Sequence, residues 1–141
     1  MKKWTLTLLF LGVAMVLGVS TQAFAQTRSS NYIESYLVQA YQGDNRGEVY
    51  IDFYVKANST TPKIGVLEIE IYQSNGNYVT TIKGSTVNRL LSPKSTGFYS
   101  FSYHYIGLPG ISYYAKVTLC AGTASDYDTR LVRTQTVKAP T

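Results

Sequence analysis

Residues 107–122 read GLPGISYYAKVTLCAG, a Pro-Gly turn followed by a strand pattern with two adjacent tyrosines. Pro109 fixes φ for the first corner of a turn, and Gly110 can take the positive φ that a type II turn needs. Alternation after the turn places Tyr113 on the apolar face of the strand and Tyr114 on the opposite face. We therefore predict that the Tyr113 ring enters the edge of a core while its hydroxyl bonds backbone a few residues upstream, as in a tyrosine corner.

The chain before and after this stretch alternates apolar and polar residues between turn sequences and has no long helical period. The Asn-Gly pair within residues 74–77 predicts a type I′ hairpin turn, residues 58–62 read as a loop, and residues 27–30 and 138–141 as loose ends. Seven short strands with regular turns indicate an all-β fold, a single antiparallel β-sandwich. The predicted strands are residues 32–41, 48–56, 65–72, 78–83, 98–106, 112–121 and 130–137.

The turn and the strand after it resemble those of fibronectin type III domains, whose pattern is Leu-x-Pro-Gly-x-x-Tyr-x-x-x-Val. The order of the seven strands is similar too, although Phe53 or Tyr54 stands where that family has a tryptophan. The resemblance implies an immunoglobulin-like sandwich. The whole chain also resembles small exported tyrosine-rich sandwich proteins of Gram-positive bacteria, which implies an extracytoplasmic location and no particular chemistry.

The N-terminal segment has the layout of a secretory signal peptide. Two lysines precede an apolar run at residues 5–19, and a small-x-small sequence ends at Ala25. This layout predicts a signal peptide at residues 1–25, cleaved after Ala25, and one domain at residues 26–141. The alternative is a retained anchor, but the apolar run is shorter than the ~20 residues of a spanning helix.

The composition offers little for catalysis or metal binding. His104 and Cys120 are the only histidine and cysteine, whereas a tetrahedral zinc site needs three or four ligands. No nucleophile elbow or facing carboxylate pair marks an active site. We therefore predict that the chain is not an enzyme and has no catalytic residue, and that it binds no metal and no cofactor. Asp126 and Asp128 favour ordinary turn chemistry, with a calcium site as the alternative if a third acid joins them.

Cys120 and the positive charge allow more than one interpretation. Cys120 can be a small apolar residue near a strand end, a free thiol or half of an intermolecular disulfide. The formal net charge is +5, but the lysines and arginines are spread out. Because the positive charges are not clustered, binding of nucleic acid is not expected. A weak attraction to an anionic cell wall or membrane surface is still allowed.

Four of the 13 tyrosines are candidates for an exposed binding surface. The third and sixth strands of such a sandwich are antiparallel neighbours, so we expect Glu70 beside Lys116 and one tyrosine pair on the same solvated outer face. A second pair lies on the outer face of the opposite sheet. The candidates are Tyr72 and Tyr114 on the first face and Tyr50 and Tyr54 on the second.

A row of aromatic side chains alternates along the fifth strand and can serve one of two purposes. Facing inward, the rings would complete the core and bring their hydroxyls to the sandwich edge. Facing outward, they would form a platform for sugars. The row consists of Tyr99, Phe101, Tyr103 and Tyr105.

The sequence favours an exported, non-enzymatic protein that binds or assembles at the cell envelope through surface tyrosines. The partner would be cell-wall glycan or another envelope protein. A secreted bacteriocin-like effector is the alternative, and an enzyme is the least favoured function.

Overall fold

The computed structural model describes residues 31–141, which form two antiparallel sheets packed face to face and confirm the all-β sandwich. The predicted signal peptide and residues 27–30 lie outside the described residues. Residues 31–141 contain no helix with the length and hydropathy of a membrane span. The strands are β1 (Ile33–Gln42), β2 (Glu48–Thr61), β3 (Lys63–Gln73), β4 (Tyr78–Lys83), β5 (Thr96–Ile106), β6 (Ser112–Gly122), β7 (Tyr127–Arg133) and β8 (Val137–Lys138).

The two sheets contain three and five strands. The first has the order β1-β2-β5, and the second has the order β4-β3-β6-β7, with β8 paired to the start of β6. The third and sixth strands are neighbours, as predicted, and β4 pairs with β3 rather than with β5. Because successive side chains of a strand point to opposite faces, each strand of the two sheets directs one row of side chains into the space between the sheets.

Aliphatic side chains from the inner faces of both sheets fill the core. Each fully buried Val, Leu or Ile contributes about 1.5–3 kcal/mol relative to an exposed one. Segment 90–92 runs beside β3 and adds one of these residues to the core. The side chains that are almost fully buried are Ile51, Val55, Ile64, Val66, Ile69, Ile71, Leu90, Val117 and Leu119.

The aromatic row of β5 faces inward, so the core interpretation of that row is confirmed. All four rings are partly buried and pack against the core cluster. The Tyr99 hydroxyl reaches the edge of the sandwich and donates to the carbonyl oxygen of Arg89, 2.6 Å away. Burial raises the pKa of Tyr99 and Tyr105. This row is therefore part of the sandwich interior and not a sugar platform.

Two turn predictions were wrong. The predicted loop at residues 58–62 continues β2 to Thr61, and β3 begins at Lys63, so that Pro62 alone separates them. The hairpin is not type I′, because that turn needs positive φ at both central residues. Only Gly76 of that pair has positive φ, 90°, and its N–H donates to Gln73 O at 2.9 Å. The turn is therefore type I followed by a left-handed glycine.

The predicted last strand, residues 130–137, is divided into β7 and β8. The division occurs at Thr134, which is buried. Its N–H donates to Ala115 O, and its hydroxyl accepts from the Ala115 N–H, both at 2.9 Å. The Thr134 hydroxyl thus replaces a backbone carbonyl as the acceptor for the Ala115 N–H. The backbone can therefore stop pairing with β6 at this point.

Residues 137–140, the C-terminal tail, are not loose, which corrects the prediction for residues 138–140. The N–H of Ala139 donates to Ile111 O at 2.8 Å, and Ala139 O accepts from Gly110 N–H at 3.0 Å. Pro140 O accepts from Gly47 N–H at 2.9 Å. With Ala139 only 1% exposed, the tail closes one end of the sandwich.

Candidate functional site

Tyr113 lies at the corner that follows the Pro-Gly turn. Its side chain is 3% exposed, and its hydroxyl accepts a 2.8 Å hydrogen bond from the backbone N–H of Leu108. Gly110 has φ 77°, the left-handed conformation that the turn needs. The ring packs edge-to-face on Tyr105 at 5.4 Å between centroids. A Cβ on Gly107 would lie 2.7 Å from the Tyr113 ring, so this corner is closed and structural.

Tyr72 and Tyr114 are cross-strand neighbours on the outer face of the five-stranded sheet. Their rings are stacked, with centroids 5.2 Å apart and an interplanar angle of 7°. The prediction that Tyr114 is exposed was wrong, because its side chain is only 8% exposed. The guanidinium carbon of Arg133 lies 3.9 Å from its ring centroid and covers it. We call Tyr78, Tyr72, Tyr114 and Arg133 the tyrosine ladder.

The groups beside the tyrosine ladder are also engaged. Glu70 and Lys116 are cross-strand partners, yet Glu70 accepts the Tyr72 hydroxyl at 2.9 Å while Lys116 Nζ lies 4.8 Å from the centroid of the Tyr72 ring. The hydrogen bond to Glu70 is the main cause of a raised Tyr72 pKa. Tyr78 packs edge-on against Tyr72 at 5.7 Å. Little of the Tyr72 and Tyr114 ring faces is therefore left for a ligand, and only Tyr78 in the ladder is an exposed ring.

The outer face of the three-stranded sheet is more open. Leu37, Tyr41 and Phe98 are exposed there, and Phe98 is 53% exposed. Tyr54 stacks on Phe98 with centroids 5.7 Å apart and an angle of 26°. These side chains border a shallow depression of about 230 Å³, which we call the aromatic depression. Its lining consists of Leu37, Gln39, Tyr41, Asp52, Phe53, Tyr54, Phe98 and Ser100.

Polar side chains in the aromatic depression are oriented by their neighbours. Gln39, Asp52 and Ser102 lie opposite one another on β1, β2 and β5. The Ser102 hydroxyl donates to Asp52 Oδ1, and the Tyr41 hydroxyl donates to Gln39 Oε1. Asp52 accepts through Oδ1 and Gln39 through Oε1, and within residues 31–141 no protein group is hydrogen-bonded to Asp52 Oδ2 or Gln39 Nε2. The depression therefore combines aromatic faces with one free acceptor and one free donor.

Tyr50 lies on the same sheet, but its ring and its hydroxyl are already in contact with other side chains of the protein. Its ring packs on His104 at 4.2 Å between centroids, and its hydroxyl donates to Asp44 at 3.0 Å. His104 Nδ1 is 3.3 Å from Glu48 Oε1. Glu48 is buried, which favours its neutral form, but hydrogen bonds from the backbone and side chain of Asn45 outweigh this effect and lower its pKa. Of the two candidates on this sheet, only Tyr54 borders the depression.

Asp126 and Asp128 hold the first described residues in place. Asp126 Oδ2 accepts the Tyr32 hydroxyl at 2.9 Å, and Asp128 Oδ2 accepts the Tyr32 N–H at 2.8 Å. Among residues 31–141, no group of three or more His, Cys, Asp and Glu side chains is placed to hold a metal ion. The calcium alternative has no third acidic ligand there. The spacing of two acids suggested paired ligands but gave no sign of Tyr32.

Cys120 is fully buried on β6, where it pairs with Gly65 of β3 and Thr129 of β7. Burial raises the pKa of its thiol to about 11. The thiol is therefore inaccessible in the folded chain, as expected for a small apolar residue.

The aromatic depression was the part of the surface that sequence reasoning described least well. Alternation placed Tyr54 outside, but Phe98 and Gln39 were not among the candidates. Comparison with family models, with curated proteins and with solved structures found no match to this chain. The geometry of the depression and the tyrosine ladder is therefore what any functional assignment rests on.

Proposed function

We propose that this chain is an exported, non-enzymatic β-sandwich protein that binds at the cell envelope, and that it binds through the aromatic depression. The observation that carries the proposal is the stacked pair of the partly buried Tyr54 and the exposed Phe98, which lies beside the exposed Leu37 and Tyr41. Exposed apolar side chains grouped in a concave site are typical of binding surfaces.

We also propose that the sandwich is fibronectin type III-like. The placement of β4 beside β3 supports it, because the fourth strand of a constant-type immunoglobulin domain instead lies beside the fifth. The corner at Tyr113 is a second supporting feature. The proposed location is extracytoplasmic, based on the signal-peptide layout of residues 1–25 and the likeness to exported tyrosine-rich proteins of Gram-positive bacteria.

The proposed partner is cell-wall glycan, with another envelope protein as the second possibility. Nucleic acid is not proposed, because Lys116 and Arg133 are placed over aromatic rings rather than in a free basic stripe. Lys56, on the same sheet face as the depression, pairs with Glu34 at 3.0 Å. Binding through the depression would therefore depend on stacking and hydrogen bonds more than on net charge.

A sedimentation assay on purified cell walls tests the proposal. Soluble wall glycan and salt serve as competitors for the purified protein. We expect the protein to be retained on the walls and to be released by soluble glycan. Salt at about 0.5 M should leave retention largely intact, because it shortens the Debye length to a few Å and so weakens only charge interactions. Phe98→Ala should lose retention, and Tyr78→Ala, an exposed tyrosine on the other sheet, should keep it. Equal retention of all three proteins would reject the depression as the binding surface.

A further inference from the structure

We propose that the aromatic depression binds one neutral pyranose unit. The apolar face of the sugar would stack on Tyr54 and Phe98, and two neighbouring hydroxyls would be bound by Asp52 and Gln39. This inference rests on the proposed function for the site and goes further by naming the class of ligand.

The size of the depression selects a small ligand. Its volume of about 230 Å³ is below the ~300–1,000 Å³ of sites for drug-sized molecules. The depression is also shallow, since Phe98 and Tyr41 at its border are both exposed. One ring therefore fills it, and any further units of an oligosaccharide would extend into solvent.

The aromatic pair supplies a surface suited to one side of a sugar ring. Tyr54 and Phe98 are stacked at an interplanar angle of 26°, so their exposed edges and faces form one continuous apolar area. Aromatic faces carry negative charge density, and the axial C–H groups of a pyranose carry small positive charge. The two surfaces are complementary. Aromatic side chains have few rotatable bonds, so the two side chains also lose little conformational entropy when a ligand binds.

The polar pair matches two adjacent hydroxyl groups. An ionised Asp52 can only accept, and Ser102 already uses its Oδ1. Gln39 Oε1 is used by Tyr41, which leaves the amide N–H groups as donors. Gln39 and Asp52 are directly opposite on β1 and β2, at a Cβ separation of about 4.5–5.5 Å. One sugar hydroxyl can donate to Asp52 while its neighbour accepts from Gln39.

Charge on this face excludes acidic sugars. Asp52 would repel a carboxylate or phosphate held next to it. Lys56 lies on the same face of β2 but is engaged by Glu34 at 3.0 Å. A uronic acid or sugar phosphate would thus meet the Asp52 charge with no free cation from β2 to offset it.

Titration by two-dimensional NMR tests the inference. The purified protein is titrated with methyl glycosides of neutral hexoses that differ in the orientation of adjacent hydroxyls, and with a methyl uronate. We expect saturable shifts at residues of the depression, selectivity among the neutral hexosides and at least tenfold weaker binding of the uronate. Asp52→Asn, which keeps the shape of the side chain, should weaken neutral hexosides about tenfold or more, since it removes a charge-assisted hydrogen bond. Tyr78→Ala is the matched control and should change nothing.

The outcomes separate this inference from the proposed function. No saturable shift with any neutral hexoside overturns the inference, as does a uronate that binds equally well. If the protein still binds walls through Phe98 in that case, the envelope function stands with a different partner. Saturable hexoside binding without wall retention would support the inference and reject the envelope function. Thermal melts of Asp52→Asn establish that lost binding is not lost folding.

Discussion

Tyr113 and Tyr114 are adjacent on β6, but different parts of the molecule bury them. Tyr113 points between the sheets, where its ring meets Tyr105 and the backbone at Gly107. Tyr114 points outward and is covered by Tyr72 and Arg133. Alternation predicts the direction of each side chain. It does not predict burial on the outer face, because Arg133 is paired with Lys116 in the register of β7 and reaches the Tyr114 ring diagonally.

The hydroxyl of Tyr113 should matter for stability. Tyr113→Phe removes the acceptor for the Leu108 N–H, and we expect the free energy of unfolding to fall by about 1–3 kcal/mol. Tyr114→Phe is the control: it keeps the ring between Tyr72 and Arg133 and should change stability by less than about 0.5 kcal/mol. Urea denaturation measures both. The reverse ranking would contradict the role of Tyr113 at the corner.

Cys120 should make stability depend on alkaline pH. Its folded-state pKa is about 11, against an ordinary value of 9.0. The folded chain therefore holds the thiol proton more tightly than the unfolded chain does. The contribution is complete below pH 9 and declines as the pH rises towards 11, by about 2 kcal/mol at pH 11.

The comparison with Cys120→Ala isolates this effect from the titration of tyrosines. We expect the stability difference between the two proteins to change by that amount between pH 8 and pH 11, from urea denaturation at each pH. A difference that stays constant over this range would show that the thiol is not desolvated.

At the scale of elements, the tyrosine ladder connects four strands, β4, β3, β6 and β7, across one sheet face. Arg133 should couple energetically to Tyr114, with which it is in contact at 3.9 Å. A double-mutant cycle of Arg133→Met and Tyr114→Leu should give about 0.5–1 kcal/mol of coupling. The cycle of Arg133→Met with Tyr78→Leu, at the far end of the ladder, should give almost none. Equal coupling in both cycles would mean that the contact is not a specific one.

Strand positions were predictable where one face is apolar, and turns were less so. The clean alternation of Val49, Ile51 and Phe53 identified β2 and its core face. Its continuation to Thr61 was missed because polar residues on an exposed strand end look like a loop. The aromatic depression was only partly predictable, because Tyr54 meets Phe98 diagonally across two strands. That contact depends on a register that local patterns do not specify.

At the scale of the whole molecule, the C-terminal tail contributes to stability from the end of the sandwich. A chain that ends at Thr136 loses the pairing of β8 with β6, three further backbone hydrogen bonds to Gly47, Gly110 and Ile111 and the burial of Ala139. We expect the free energy of unfolding to fall by about 3 kcal/mol or more. A chain that lacks only Thr141, which is exposed, is the control and should be as stable as the full chain. Equal midpoints in urea for both truncations would contradict a structural role for the tail.

The position of the tail also determines when the fold can be completed. Ribosomes make residues 137–140 after every strand that this segment contacts. Until those residues emerge, the start of β6 at Ser112 and Tyr113 has no β8 partner, and the N–H groups of Gly47 and Gly110 have no acceptor from the tail. The native contacts at this end of the sandwich therefore form last, after the strands that they join have been made.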